Sequence, residues 1–91
     1  MMKLMKEKPK EVLCFDAESD RLFLCSKEQL FLRVKEVNIM RKQCGGAGMD
    51  DFYRAVGMQP LDVDIPIEHD LTIEVTENPR YSNEPKYTVR Y

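Results

Sequence analysis

Three thiols, one imidazole, a run of carboxylates and a glycine-rich turn are the groups in this chain whose types and spacing bear on chemistry. Cys14, Cys25 and Cys44 would each need a base within hydrogen-bond reach to act as a nucleophile, and His69 is the one imidazole available. Two of the three cysteines sit inside apolar, strand-like runs, where a thiol is inert. An odd number of cysteines at no metal-like spacing fits reduced thiols packed as small hydrophobes in a cytoplasmic protein, not a disulfide framework.

The carboxylates are concentrated beside that histidine. Asp62, Asp64, Glu68, His69 and Asp70 offer hard ligands, but a single His excludes a multi-histidine zinc site. Their spacing also lacks the glycine and the bidentate Glu of a calcium loop. What stays open is a weak hard-cation or small hydrolytic centre around His69, against the plainer reading of an exposed loop histidine. Neither Asp50 with Asp51 nor Asp62 with Asp64 makes an acid–base pair, because adjacent helical residues point in different directions and no pocket is implied. The expectation is no catalytic residue, no metal and no cofactor: not an enzyme.

The turn Gly45-Gly46-Ala47-Gly48 runs into Met49-Asp50-Asp51-Phe52-Tyr53, and glycines before a helix are how many proteins cradle phosphate. Neither nucleotide-binding fingerprint is met. No Lys followed by Ser or Thr comes after Gly48, and the turn follows a helical pattern instead of a strand. Asp50 and Asp51 fall where the phosphate would sit, and like charges at ~4 Å repel by about 1 kcal/mol even in water. The turn reads as a hinge over residues 45–48.

Charge is unevenly spread over the 91 residues, whose formal net value is −2. Basic groups dominate residues 1–48 and 79–91, whereas residues 49–78 hold eight acidic groups and one basic. Asp50, Asp51, Asp62, Asp64, Glu68 and Asp70 belong to that segment, which would repel a nucleic-acid backbone and attract a basic partner. No direct nucleic-acid contact is expected. The lysines at positions 3, 6, 8 and 10 are broken up by Glu7 and Pro9 and read as a frayed tail over residues 1–10. No apolar stretch approaches the ~20 residues that span a bilayer, and Met1 to Lys10 shows no signal-peptide run, so no membrane contact is expected.

These groups must be positioned by a single domain of residues 1–91. Glu11 to Phe15 and Arg21 to Cys25 are short apolar runs flanking the polar Asp16 to Asp20, a hairpin signal without the usual glycine. With Phe15 opposite Leu22, period-two alternation places Leu13, Phe15, Leu22 and Leu24 on one face and Val12, Cys14, Phe23 and Cys25 on the other. One helical layer covers one of these faces, and the second then invites a partner. Ser26-Lys27-Glu28-Gln29 is a capping box, and Leu30, Phe31, Val34, Val37 and Arg41 follow helical spacing behind it. Leu32 and Ile39 make a second, thinner stripe. A short helix follows Gly48 and ends at Gly57. Residues 59–70, interrupted by Pro60 and Pro66, read as an extended connection. Leu71 to Thr76 and Lys86 to Tyr91 alternate strictly and form a second hairpin in which Glu74 and Arg90 can pair.

The run Gly48-Met49-Asp50-Asp51-Phe52-Tyr53-Arg54-Ala55-Val56-Gly57-Met58, between a long helix and a terminal hairpin, resembles small uncharacterised proteins of bacteriophages and mobile elements of Gram-positive bacteria. The likeness spans residues 30–91 and departs at Asp62 to Asp70, which has no counterpart of the family-like Gly-Trp-Asn segment. It implies a cytosolic accessory protein with no assigned activity.

The expected architecture is α+β in the order ββααββ: a small antiparallel sheet from two hairpins, with a long and a short helix on one face. The expected function is a protein-interaction module, in which Val12, Cys14, Phe23 and Cys25 join Leu32 and Ile39 as the contact surface for a protein partner, a second copy of the chain being one candidate. The alternative is an acidic inhibitor or nucleic-acid mimic that occupies the basic groove of a protein such as a defence nuclease.

Overall fold

The computed structural model describes residues 10–77 and 84–91. Apart from Lys10, the tail expected over residues 1–10 lies outside the described residues, as do residues 78–83 between the last two strands. The chain is α+β, with elements β1 (Glu11–Asp16), β2 (Arg21–Ser26), α1 (Lys27–Gln43), α2 (Met49–Ala55), β3 (Thr72–Val75) and β4 (Tyr87–Arg90). No helix among the described residues is long and apolar enough to cross a membrane.

In the first hairpin Phe15 does sit opposite Leu22. Its turn lacks glycine because a side chain closes it. Asp16 Oδ2 accepts from both the Ser19 amide and the Ser19 hydroxyl, an Asx-type turn, and Asp20 takes the left-handed conformation at φ 59°.

All four strands form one sheet in the order β2-β1-β4-β3. Both hairpins are antiparallel, but β1 and β4 meet in parallel at the centre, with Cys14 beside Tyr87 and Asp16 beside Val89. The sheet is therefore mixed and not purely antiparallel. Hairpin signals specify each local pair, whereas the orientation in which two hairpins abut depends on where the intervening helices return the chain.

Helix α1 begins where its capping box predicts: the Gln29 amide donates to Ser26 Oγ at 3.2 Å. Its buried residues are Leu30, Val34 and Val37, three of the five in the expected stripe. Phe31 lies at the margin and meets Tyr87 edge-on, with ring centroids 5.6 Å apart. Asn38 fixes the far end. Its side-chain amide donates to the Leu71 carbonyl while its oxygen accepts from the Leu71 amide. The helix ends at Cys44, followed by Gly45 at φ 80°, a backbone that L side chains rarely adopt.

One cluster of buried side chains joins the hairpins to both helices. Cys14, Phe23 and Cys25 contribute from the first hairpin, Tyr87 and Val89 from the second, and Met49, Phe52 and Tyr53 from α2. Phe23 and Phe52 meet edge-on at 6.2 Å. Thr88 is buried, because β4 is an inner strand and Phe15 of β1 lies beside it.

Candidate functional site

Four of the residues expected to form a contact surface belong to the interior. Cys14, Phe23 and Cys25 are buried core residues and Val12 is packed against the same cluster. The alternation that separates the two faces of the first hairpin is correct, and the assignment of which face is free is reversed. Leu22 and Leu24 are 54% and 58% exposed, with Leu13 and Phe15 half-buried beside them on the same face. Both faces of β1 and β2 are apolar, so alternation alone carried no sign; Cys14, Phe23 and Cys25 share one buried cluster with Leu30, Val34 and Phe52. Leu32 and Ile39 are exposed on α1, so the six residues do not make one surface.

The thiols are inert where the core encloses them. Burial pushes the Cys14 thiol up to about 12, helped by the neighbouring Cys25. Burial raises Cys25 as well, with Glu11 adding to it. Cys44, next to Gly45, is the exposed one. His69 stacks on Tyr91 with ring centroids 4.9 Å apart.

The carboxylates are drawn into separate structural tasks. Asp64 Oδ1 accepts from the Asp50 amide at 3.0 Å, so a residue from the extended connection caps α2. Asp51 Oδ2 accepts from the Gly48 amide at 2.9 Å, and Asp50, itself buried, accepts through Oδ1 from the Leu61 amide at 3.1 Å. The N-terminus of α2 thus holds protein carboxylates at the place a phosphate would occupy. Asp70 lies between Arg41 and Lys42, with Oδ2 3.2 Å from Lys42 Nζ. Hydrogen bonds from Arg41 and then Lys42 hold its carboxyl below the ordinary value of 3.8. Glu74 pairs with Arg90 across β3 and β4, as the alternation predicts. Asp62 and Glu68 stay exposed. Among the described residues no group of three or more His, Cys, Asp or Glu side chains could hold a metal ion.

The turn expected to act as a hinge is fastened on its far side. Gly48 bridges Pro66, the Met49 amide donates to the Ile65 carbonyl, and the Ile67 amide donates to the Ala47 carbonyl, both at 2.8 Å. Gly48 is glycine for space: a Cβ there would run into the Asp64 carboxylate that caps the helix.

A buried polar network escaped the sequence reading. Asp16 is fully buried on the core side, and besides Ser19 it accepts from the Tyr53 hydroxyl at 2.7 Å. Arg21 donates from Nε to Ser19 Oγ and from Nη1 to the Gln59 carbonyl, and its guanidinium lies 4.8 Å from the Tyr53 ring centroid. Burial, and next the hydrogen bond to Asp16, raise the Tyr53 phenol above its ordinary value of 10.0. A phenol so held keeps its proton, and the network ties the first hairpin to α2 without presenting a nucleophile. The available signal was period two: Asp16 shares its face with Cys14, so the first polar residue after an apolar run points inward.

Two further features lie at the edges of the sheet. Strand β2 is one edge, carrying Leu22 and Leu24. At the other edge, α1 and β3 enclose a groove of about 400 Å³ lined by Phe31, Lys35, Ile39, Lys42 and Ile73 among others. No family model matches the chain, and neither a curated protein nor a solved structure matches it.

Proposed function

We propose that this chain is a non-enzymatic protein-interaction module and that one of its partners is a second copy of itself. The single observation that carries the reading is the pair Leu22 and Leu24, more than half exposed on the edge strand of the sheet. In this reading α1 and α2 cover the Cys14 face, and the Leu22 face stays open. Two leucines on a monomer's edge strand are a liability unless something covers them.

A second copy suits that edge because the arrangement is self-complementary. Antiparallel pairing of two β2 strands about Phe23 sets Leu22 opposite Leu24 of the other copy, and Leu24 opposite its Leu22. This is the isologous geometry of a two-fold dimer. The interface continues the sheet, so the outer amides and carbonyls of β2, which have no ladder partner among the described residues, find partners along with the leucines.

The acidic-mimic reading draws less support, because Asp50, Asp51, Asp64, Asp70 and Glu74 already serve the fold. An origin in a phage or mobile element rests on the resemblance of Gly48 to Met58 alone, and a cytoplasmic location goes with it. Light scattering coupled to size exclusion over a concentration series tests the dimer. A concentration-dependent dimer is expected, reduced to monomer by Leu22→Glu or Leu24→Glu with the circular dichroism unchanged; a monomer at every concentration would remove self-association.

A further inference from the structure

Among the described residues, the groove between α1 and β3 combines an exposed apolar stripe, a cation without an anionic partner and a strand edge without a ladder partner. Phe31, Lys35 and Ile39 are spaced four residues apart on α1, so they line up along the helix at intervals of ~6 Å. Phe31 and Ile39 are both exposed, and Lys35 has no anionic partner among the described residues. Strand β3 is the end of the sheet, so its outer backbone groups have no ladder partner among those residues.

The helix runs alongside the strand in the opposite direction. Phe31 packs on Tyr87, which pairs with Val75 at the end of β3, while Asn38 bonds Leu71 at its start. A strand added outside β3 would place alternate side chains toward the groove at intervals of ~6.7 Å, close to the helical interval. Three successive groove-facing side chains therefore meet Phe31, Lys35 and Ile39 in turn. The middle one faces the Lys35 ammonium and the outer two face apolar side chains, while Lys42 and Asp70, which also line the groove, are paired with each other.

We propose that this groove binds an extended segment of a protein partner, which joins β3 as a fifth strand and presents side chains in the alternation apolar, acidic, apolar. The proposal rests on the reading of the chain as an interaction module, and it uses the sheet edge opposite the one assigned to self-association. Affinity comes from the main-chain ladder, and selectivity from Lys35 and the apolar contacts on either side of it. On the other face of β3, Glu74 is already neutralised by Arg90, so the outward residues of the segment need only be polar.

The test uses three blocked hexapeptides and amide-resolved nuclear magnetic resonance. The first is Thr-Val-Thr-Glu-Thr-Ile; the second replaces Glu by Lys; the third has the same composition as the first with Glu moved to the Thr face. Shifts at Thr72 to Val75 and at Phe31, Lys35 and Ile39 are expected, with the first peptide bound about tenfold tighter than the second. Lys35→Glu is expected to reverse that order while leaving the fold and the oligomeric state unchanged. Equal affinities for the first and second peptides, equal affinities for the first and third, shifts confined to β2, or no saturation at millimolar peptide would each overturn the proposal. If the peptides fail while concentration-dependent self-association persists, the groove assignment alone falls; loss of both removes the interaction module.

Discussion

The Tyr53 hydroxyl donates a hydrogen bond of 2.7 Å to the carboxylate of Asp16, and both residues are fully buried. This joins α2 to the last residue of β1 across 37 positions of sequence. A buried carboxylate costs several kcal/mol unless donors compensate it, and here Tyr53 and Ser19 supply them at Oδ2, while Oδ1 is buried with no hydrogen-bond partner among the described residues. Tyr53→Phe keeps the ring and removes one donor, so it is expected to cost about 1–3 kcal/mol in urea unfolding. Asp16→Asn in the Tyr53→Phe background should cost less than in the parent chain, because the two residues act as one unit. Additive losses would show that the pair does not.

Gly48 and Asp64 form a second coupled pair. Gly48→Ala places a methyl group where the Asp64 carboxylate caps α2, and about 1 kcal/mol of stability should be lost with the cap. Asp64→Ala should lose a similar amount. The double variant is expected to cost clearly less than the sum, since the clash vanishes with the carboxylate. Thermal denaturation of the four proteins reads this directly.

The cysteines make a prediction about reactivity and its pH dependence. An aromatic disulfide reagent should titrate Cys44 rapidly in the folded chain, and Cys14 and Cys25 only after unfolding. Burial raises the Cys14 thiol from 9.0 to about 12, so the folded state holds a proton the unfolded state releases. Stability from this group is complete below pH 9 and falls as pH rises from there to about 12. Urea midpoints measured across that interval should decline, and modification of all three thiols at one rate in the folded chain would contradict the burial.

Asp70 acts at the other end of the pH scale. Its carboxyl is held below 3.8 by Arg41 and then Lys42, so the native state releases this proton more readily than the unfolded chain does. The stabilisation is present above pH 3.8 and disappears as pH falls through the lowered value. Asp70→Asn should therefore narrow its difference from the parent as the solution is acidified below that point. A difference that stays constant with pH would mean that Asp70 contributes through packing alone. Because the carboxylate is partly exposed, added salt should also shrink it.

Much of the secondary structure was legible because its causes are local. Ser26 and Gln29 announce the start of α1, Gly45 its end, and strict alternation announces β3 and β4. The pairing of Glu74 with Arg90 follows from the same period of two. The turn between β1 and β2 was less legible, since Asp16 closes it with a side chain instead of a glycine. Asp64 as the cap of α2 was not legible at all: its partner, the Asp50 amide, lies 14 residues away and is brought near by the bridge between Gly48 and Pro66.

By itself the sequence determined the elements, their order and the partition of the first hairpin into a Cys14 face and a Leu22 face, because capping, periodicity and turn chemistry act over a few residues. Tertiary structure decided that β1 meets β4 in parallel and that the Cys14 face goes inward, leaving Leu22 and Leu24 outside. It also turned Asp51 and Asp64 into caps and Asp70 and Glu74 into ion-pair partners. The physical reason is common to all three. Two apolar faces, two hairpin orientations and several unpaired carboxylates are locally equivalent, and only the long-range contacts of Leu30, Val34, Phe52 and Tyr53 with the sheet distinguish one arrangement from the other.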